Sequence, residues 1–188
     1  LKFGAEMVLP VEVNSLIPPM EKGAPLRLAL AGGKTVEARS IVIASGARYR
    51  RPDIANIATF EGKGISYWAS PIEAKLCAGE EVALVGGGNS AGQAIVFLAP
   101  QVRKLHLVIR RTLEQTMSQY LIDRIKALPN VEFHMNCEVD AIDGDATIGL
   151  SSATVRNRHS GSERQLPLHH LFLFIGADPN TGWISERV

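Results

Sequence analysis

Apolar and polar positions change period along this chain, and the sharpest change lies between Glu81 and Arg111. Residues 82–85 are an unbroken apolar run, the pattern of a strand buried on both faces. Gly86, Gly87 and Gly88 follow as a turn, and residues 89–99 carry helical spacing until Pro100 ends the segment. Residues 105–109 are apolar again, so the stretch predicts a β-α-β unit. A second helix is expected from Met117 or Ser118, with Leu121, Ile122, Ile125 and Leu128 on one face and Pro129 and Asn130 as its stop. Residues 131–135 supply a third strand. This β-α-β-α-β order implies an α/β fold with a parallel sheet and right-handed crossovers.

On both sides the period becomes strand-like. Residues 5–13 read as a first extended run, broken at Pro18 and Pro19. Residues 26–30 and 35–38 predict a hairpin around Gly32 and Gly33, and residues 40–44 a short apolar strand that ends in Ala44, Ser45, Gly46 and Ala47. Residues 50–80 lack a long apolar period and read as a domain crossing, with a short helix over 72–76. Beyond the third parallel strand, residues 137–142, 146–158 and 164–168 predict a β-meander with turns at Gly144 and at 157–161. Residues 171–175 form a last buried strand, which runs into Gly176, Ala177, Asp178, Pro179, Asn180 and Thr181. Meander, apolar strand and small-residue turn thus occur twice.

Composition narrows the function classes. With 46% hydrophobic and 21% charged residues, the 188-residue chain is an ordinary globular sequence with enough length for a real core. A formal net charge of +1 gives no support for a nucleic-acid binder. The two cysteines, Cys77 and Cys137, have no CxxC spacing and fit a reducing, cytoplasmic setting rather than a disulfide framework. No apolar run approaches the ~18 residues of a membrane span, and no signal peptide is evident. The chain begins at Leu1 and enters an extended pattern directly, so it is expected to be a piece of a longer polypeptide.

The glycine turn carries the first chemistry. Gly86 and Gly88 occupy the GxG positions of a dinucleotide-binding turn, and Ala91 the third small position. Gly86 permits the tight turn, Gly88 lets backbone approach a pyrophosphate, and Ala91 seats the helix on the sheet. Asn89 and Ser90 are suitable caps for a helix end whose dipole and free N–H groups attract phosphate. An NAD site places an acidic residue about 20 positions past the glycines, at the end of the second strand. Here that strand ends in Arg110 and Arg111, which can pair with a 2′-phosphate, so NADPH is expected.

Taken together, VALVGGGNSA, HLVIRR, IVIASGA and FIGADPNT resemble the low-molecular-weight thioredoxin reductase group of FAD- and NAD(P)-dependent pyridine nucleotide-disulfide oxidoreductases, over essentially all of the chain. The resemblance implies a Rossmann-like three-layer NAD(P)-binding domain with a β-meander, flanked by partial FAD-domain strands. It assigns residues 1–65 to the end of a first FAD-domain segment, 66–170 to the NADPH domain and 171–188 to the returning FAD-domain segment. It also implies that Ala44, Ser45, Gly46 and Ala47 lie near FAD, and that Gly86, Gly88, Asn89, Ser90 and Ala91 lie near the NADPH pyrophosphate. Arg110 and Arg111 would meet the 2′-phosphate, and Ile175, Gly176 and Ala177 the nicotinamide nucleotide. The intact protein is expected to bind FAD and to pass hydride from NADPH to flavin; a homodimer of it is compatible with the resemblance, and the oligomeric state is left open by the sequence.

Two departures qualify that expectation. The family's basic HRRxxxR signature has Ile109 in place of its His and Gln115 in place of its last Arg. The family's redox-active CAxC corresponds to Tyr67, Trp68, Ala69, Ser70 and Pro71, which carry no sulfur. Without a thiolate, direct dithiol chemistry there is excluded. The electron acceptor is therefore open: a thioredoxin-like protein reached by another route, a ferredoxin or flavodoxin, or a small molecule. A non-catalytic nucleotide-sensing module is the alternative outside catalysis. Cys77 reads as structural. His169 and His170 face opposite sides of a strand, and His134 with Cys137 lacks companion ligands, so no metal site is expected. The basic cluster of Arg103, Lys104, His106, Arg110 and Arg111 lacks interleaved aromatics for stacking bases. No nucleophile elbow is present, and Trp68 and Trp183 read as packing residues.

Overall fold

The structure, a computed structural model, describes residues 4–19 and 21–184. The chain divides into two compact units, one reaching Arg48 and resuming at Ala177, the other spanning Tyr49–Gly176.

In the first unit, β1 (Val13–Ile17), β2 (Leu26–Leu30) and β3 (Thr35–Ala38) form an antiparallel sheet in sequence order. The hairpin falls where Gly32 and Gly33 predicted it, because both adopt positive φ, at 83° and 77°, where glycine has no steric cost. The extended run expected over 5–13 is instead irregular up to Val13, since β2 offers ladder partners only from Val13↔Leu30 to Ile17↔Arg27. The strand expected over 40–44 is also displaced. Those residues form no ladder and Val42 is 92% exposed, whereas β4 (Ala47–Tyr49) pairs with β13 (Ala177–Pro179). A strand forms where its backbone groups find partners, and here those partners stand opposite the small-residue turn's exit.

The second unit has three layers. Its centre is a five-stranded parallel sheet of β5 (Ile65–Ser66), β6 (Glu81–Val85), β7 (Lys104–Ile109), β8 (Val131–Met135) and β12 (His170–Leu173), in the order β5-β12-β6-β7-β8. Alternate residues of its strands point to opposite faces. Val82, Leu84, Leu105, Leu107, Ile109 and Phe172 pack against α2 (Pro71–Leu76), α3 (Asn89–Leu98) and α4 (Gln119–Lys126). Ala83, Val108, Leu171 and Leu173 pack against α1 (Ile57–Phe60) and an antiparallel meander of β9 (Cys137–Asp145), β10 (Gly149–Asn157) and β11 (Glu163–Pro167). The α/β architecture with a meander is therefore as the sequence predicts.

Three details differ. Gly144 lies inside β9 rather than in a turn, because a Cβ there would sit 2.3 Å from the Gly149 carbonyl oxygen. The chain turns at 146–148 instead. β12 ends at Leu173, two residues before Ile175. The units part within β4 and after Gly176, whereas the sequence boundaries stood at 65/66 and 170/171. The reason is β5 and β12, which pair with each other and, through β12, with β6, so both flanks of the crossing belong to the parallel sheet. Helix α1 and strand β5, of four and two residues, are too short to show a period in sequence.

Candidate functional site

The glycine turn leaves β6 against neighbouring backbone. Phe174 N–H donates to Val85 O at 2.8 Å, and Gly86 N–H donates to Val108 O at 3.1 Å. Gly86 has φ +146°, and a Cβ on it would lie 2.4 Å from Phe174 O. Gly86 is thus required by the fold itself. Gly88 differs: its φ of −91° is open to any residue, and a Cβ built on it meets nothing within 4 Å. Its backbone faces open space, the condition for close approach by a ligand.

Gly88, not Asn89 or Ser90, is the N-cap of α3, and no side chain caps the helix. This corrects the capping role expected of those two residues. Asn89 Oδ1 instead accepts from Ser118 N–H at 2.8 Å, and Ser90 is exposed. The bond from Gly92 N–H to Gly88 O, at 3.0 Å, closes the first turn, so the N–H groups of Asn89, Ser90 and Ala91 have no partner inside the helix. Ala91 is fully buried against the sheet, as its small-residue position requires.

Residues 112–118 hold the turn from outside, a role that the sequence reading missed. Thr116 Oγ1 donates to Gly87 O at 2.7 Å, and a Cβ on Gly87 would lie 3.2 Å from Thr116 Oγ1. Gly92 is equally close to its neighbours, since a Cβ there would lie 3.0 Å from both Leu121 Cδ1 and Met117 Sδ. No local signal marks these contacts, because they join residues about a helix-turn-strand unit apart. Arg110 and Arg111 follow buried Ile109 at the same end of the sheet, both exposed. Neither makes a side-chain hydrogen bond or ion pair among the described residues. Ile175 and Gly176 continue the chain past Phe174, whose carbonyl faces Gly86; Gly176 O accepts from Arg50 N–H at 3.0 Å.

The first unit brings the other two motifs together. Ser45 Oγ donates to Asn180 O at 2.7 Å, Asn180 Nδ2 donates to Ser45 O at 3.1 Å, and Asn180 N–H donates to Gly46 O at 3.0 Å. Ala44, Ser45, Gly46 and Ala47 therefore lie beside the segment that contains Ala177, across 135 positions of sequence between Ser45 and Asn180.

At the sulfur-free stretch, Ser70 begins α2. Its hydroxyl accepts from Ile72 N–H at 3.1 Å, Glu73 Oε2 accepts from Ser70 N–H at 3.0 Å and also contacts Ser70 Oγ, and Pro71 fills the first helical position. Trp68 Nε1 donates to Glu73 Oε1 at 2.9 Å, and the Ser70 hydroxyl is the first cause that holds the Glu73 carboxyl below its usual range. Tyr67 stacks on Tyr49 with ring centroids 5.4 Å apart. Burial, then the hydrogen bond to Glu61, raises the Tyr67 phenol to about 12. These residues build a helix start and an aromatic patch, with no nucleophile. Cys77 is fully buried and its thiol is pushed up by burial, as befits a packing residue. Cys137 turns to Met135 O at 3.2 Å, and His169 Nδ1 lies 2.8 Å from Leu150 O. Trp183 is tied locally, its Nε1 donating to Asn180 O at 3.0 Å.

This geometry has close relatives. Residues 11–188 match the family described as pyridine nucleotide-disulphide oxidoreductase. The chain is 30% identical to thioredoxin reductase of Helicobacter pylori, over 94% of this chain and 56% of that one. It is also 30% identical to NADH dehydrogenase of Bacillus subtilis, over 90% of its own length and 32% of that protein. Among solved structures, thioredoxin reductase from Giardia duodenalis superposes with a TM-score of 0.80 at 25% identity, covering 99% of this chain and 58% of that one. The chain therefore spans between about a third and three fifths of the length of these relatives. No helix among the described residues is long and apolar enough to cross a membrane.

Proposed function

Because the chain belongs to the pyridine nucleotide-disulphide oxidoreductase family, we propose that it is the nucleotide-binding portion of a thioredoxin reductase-like flavoprotein that moves hydride from NADPH to FAD. One observation carries this reading. The open backbone of Gly88 stands at the uncapped N-terminus of α3, and the neighbouring strand ends in two arginines with no side-chain partner among the described residues. A Cβ at Gly88 would occupy the space that a pyrophosphate needs, so the cradle fits the group. The N–H groups of Asn89, Ser90 and Ala91 hold the pyrophosphate, and the helix dipole favours its charge. Arg110 and Arg111 take the 2′-phosphate, while Ile175 and Gly176 line the route to the nicotinamide. Ala177 follows them toward the nicotinamide nucleotide, and Ala44 to Ala47 face FAD.

When bound, NADPH supplies the hydride and FAD accepts it; the chain's residues bind and orient. The onward route is not a dithiol at residues 67–71, because Tyr67, Trp68, Ala69, Ser70 and Pro71 carry no sulfur. This favours an acceptor that meets the flavin directly, such as a ferredoxin- or flavodoxin-like protein or a small molecule, over a thioredoxin served through that stretch.

Calorimetric titration of the chain with NADPH and NADH tests the nucleotide assignment. A charge-assisted contact contributes about 1.5–3 kcal/mol, so Arg110→Gln or Arg111→Gln should weaken NADPH roughly ten- to a hundredfold and leave NADH nearly unchanged. Equal affinity of the unmodified chain for both nucleotides would overturn the assignment. Anaerobic NADPH should also bleach the flavin of the intact protein, with unchanged absorbance the contrary result.

A further inference from the structure

A second cluster of titratable groups lies on the same parallel sheet, beginning at the end opposite the glycine turn. Glu81 and Lys104 are the first residues of β6 and β7, and they are register partners. Further along, His106 pairs with Glu132, and His134 follows two residues later on β8. Period-2 alternation puts Glu81, Lys104, His106, Glu132 and His134 on one face, the face that Val108 turns toward the meander. Arg164 of β11 reaches the same group from the meander.

The donor atoms converge. His106 Nδ1 is 3.0 Å from His134 Nε2 and 3.7 Å from Glu132 Oε2, and His134 Nε2 is 3.5 Å from Glu132 Oε1. Ligands about 2.0–2.1 Å from a tetrahedral cation stand about 3.3–3.4 Å apart; the His–His separation and the two His–Glu132 separations, which end on Oε2 and Oε1 respectively, lie around that value, so a turn of the Glu132 carboxylate brings one oxygen to both rings. From these distances we propose that His106, Glu132 and His134 form a site for one divalent transition-metal cation of the zinc class.

The surroundings select the cation type. Glu132 also contacts Lys104 Nζ, and Arg164 Nη1 at 2.5 Å, while Glu81 Oε1 lies 4.0 Å from His106 Nε2. Two carboxylates therefore face two cations, and Arg103 reaches Glu81 from the exposed side at 3.6 Å. A hard ion such as Mg²⁺ finds no excess negative charge here and few oxygen ligands. Imidazole nitrogens suit Zn²⁺, Co²⁺, Ni²⁺ or Cu²⁺. Both rings are nearly buried, their side chains 3% and 9% exposed, and each turns a nitrogen toward the other at 3.0 Å. One ring proton occupies the His106–His134 hydrogen bond. Metal entry moves it to another ring nitrogen, and in His106 that is Nε2, beside Glu81, the carboxylate–histidine–metal arrangement of known sites. The net proton count is unchanged. The sequence showed only His134 and Cys137; the missing ligands come from the neighbouring strand and from two residues upstream.

Calorimetric titration of the unmodified chain with Zn²⁺ tests the site, with Mg²⁺ as the comparison cation. One equivalent of Zn²⁺ should bind and Mg²⁺ should not. His134→Gln and Glu132→Gln should each weaken Zn²⁺ at least about tenfold, while His159→Gln, in an exposed turn, leaves it unchanged. Lys104→Gln, which frees one oxygen of Glu132, should tighten it. Absence of saturable Zn²⁺ binding, or equal binding in His134→Gln, overturns the proposal. Should those variants fail to fold, Co²⁺ added to the unmodified chain decides. Tetrahedral d–d absorption without a sulfur-to-metal band supports the site, whereas a sulfur band or no tetrahedral absorption overturns it.

Discussion

Gly86 and Gly88 look equivalent in a GxG turn, but the structure separates them, and substitution by alanine should expose the difference. At Gly86 an alanine faces two penalties. Its φ of +146° is a region that L residues avoid, and its Cβ would stand 2.4 Å from Phe174 O and 3.0 Å from Phe174 Cβ. Phe174 is held there by its own N–H bond to Val85 O, so the backbone cannot simply retreat. A sparsely populated backbone costs about 1–3 kcal/mol and overpacking about 1–3 kcal/mol more. Gly86→Ala should therefore destabilise the Tyr49–Gly176 unit by roughly 2–6 kcal/mol, a large part of the ~5–15 kcal/mol that holds a domain together. At Gly88 neither penalty applies, so Gly88→Ala should change stability by less than about 0.5 kcal/mol while a new methyl blocks the pyrophosphate. Urea denaturation followed by far-UV circular dichroism measures the first quantity, and NADPH titration of the folded chains measures the second. If Gly86→Ala unfolds within about 0.5 kcal/mol of the unmodified chain, or Gly88→Ala binds NADPH undiminished, the division of labour is wrong.

Two further outcomes follow from side-chain chemistry. Ser70→Ala removes the cap of α2 and should cost about 1 kcal/mol in urea, without loss of nucleotide binding; no change in the midpoint would show that the capping box is idle. For His106, burial and then His134 lower the imidazole from 6.5 to about 4. Between those values the unfolded chain binds more protons than the folded one, so stability is complete above about pH 6.5 and falls as pH drops toward 4, by roughly 3 kcal/mol. Two of the groups that face it set this window: His134 shifts in the same direction and Glu132 is held at about 2, while Lys104, Arg164 and Glu81 are the other charged groups around the ring. Urea midpoints at pH 7.5 and 5 should differ, and His106→Gln should flatten the difference; a pH-independent midpoint in the unmodified chain refutes the sign.

The β-α-β core was legible because its signals are local. Apolar runs at 82–85 and 105–109, three glycines between a strand and a helix, and Leu121, Ile122 and Ile125 at helical spacing each reside within one element. The arginine pair was legible for the same reason, since its place is fixed by the strand that it ends. Edges were less legible. The ladder partner of β4 is 130 residues away in sequence, so nothing near residues 40–49 could say that pairing begins at Ala47 rather than Ser40.

The sequence by itself determined the α/β order, the glycine turn, the basic strand end and the absence of sulfur at 67–71. Only the tertiary structure decided that Gly86 is hemmed in by Phe174 while Gly88 faces open space, that Thr116 and Asn89 fasten the turn to the start of α4, and that His106 and Glu132 stand beside His134. The physical reason is range: a period or a cap is a property of neighbours in sequence, whereas a would-be Cβ against a carbonyl, or three donors on one face, depends on which strands pair.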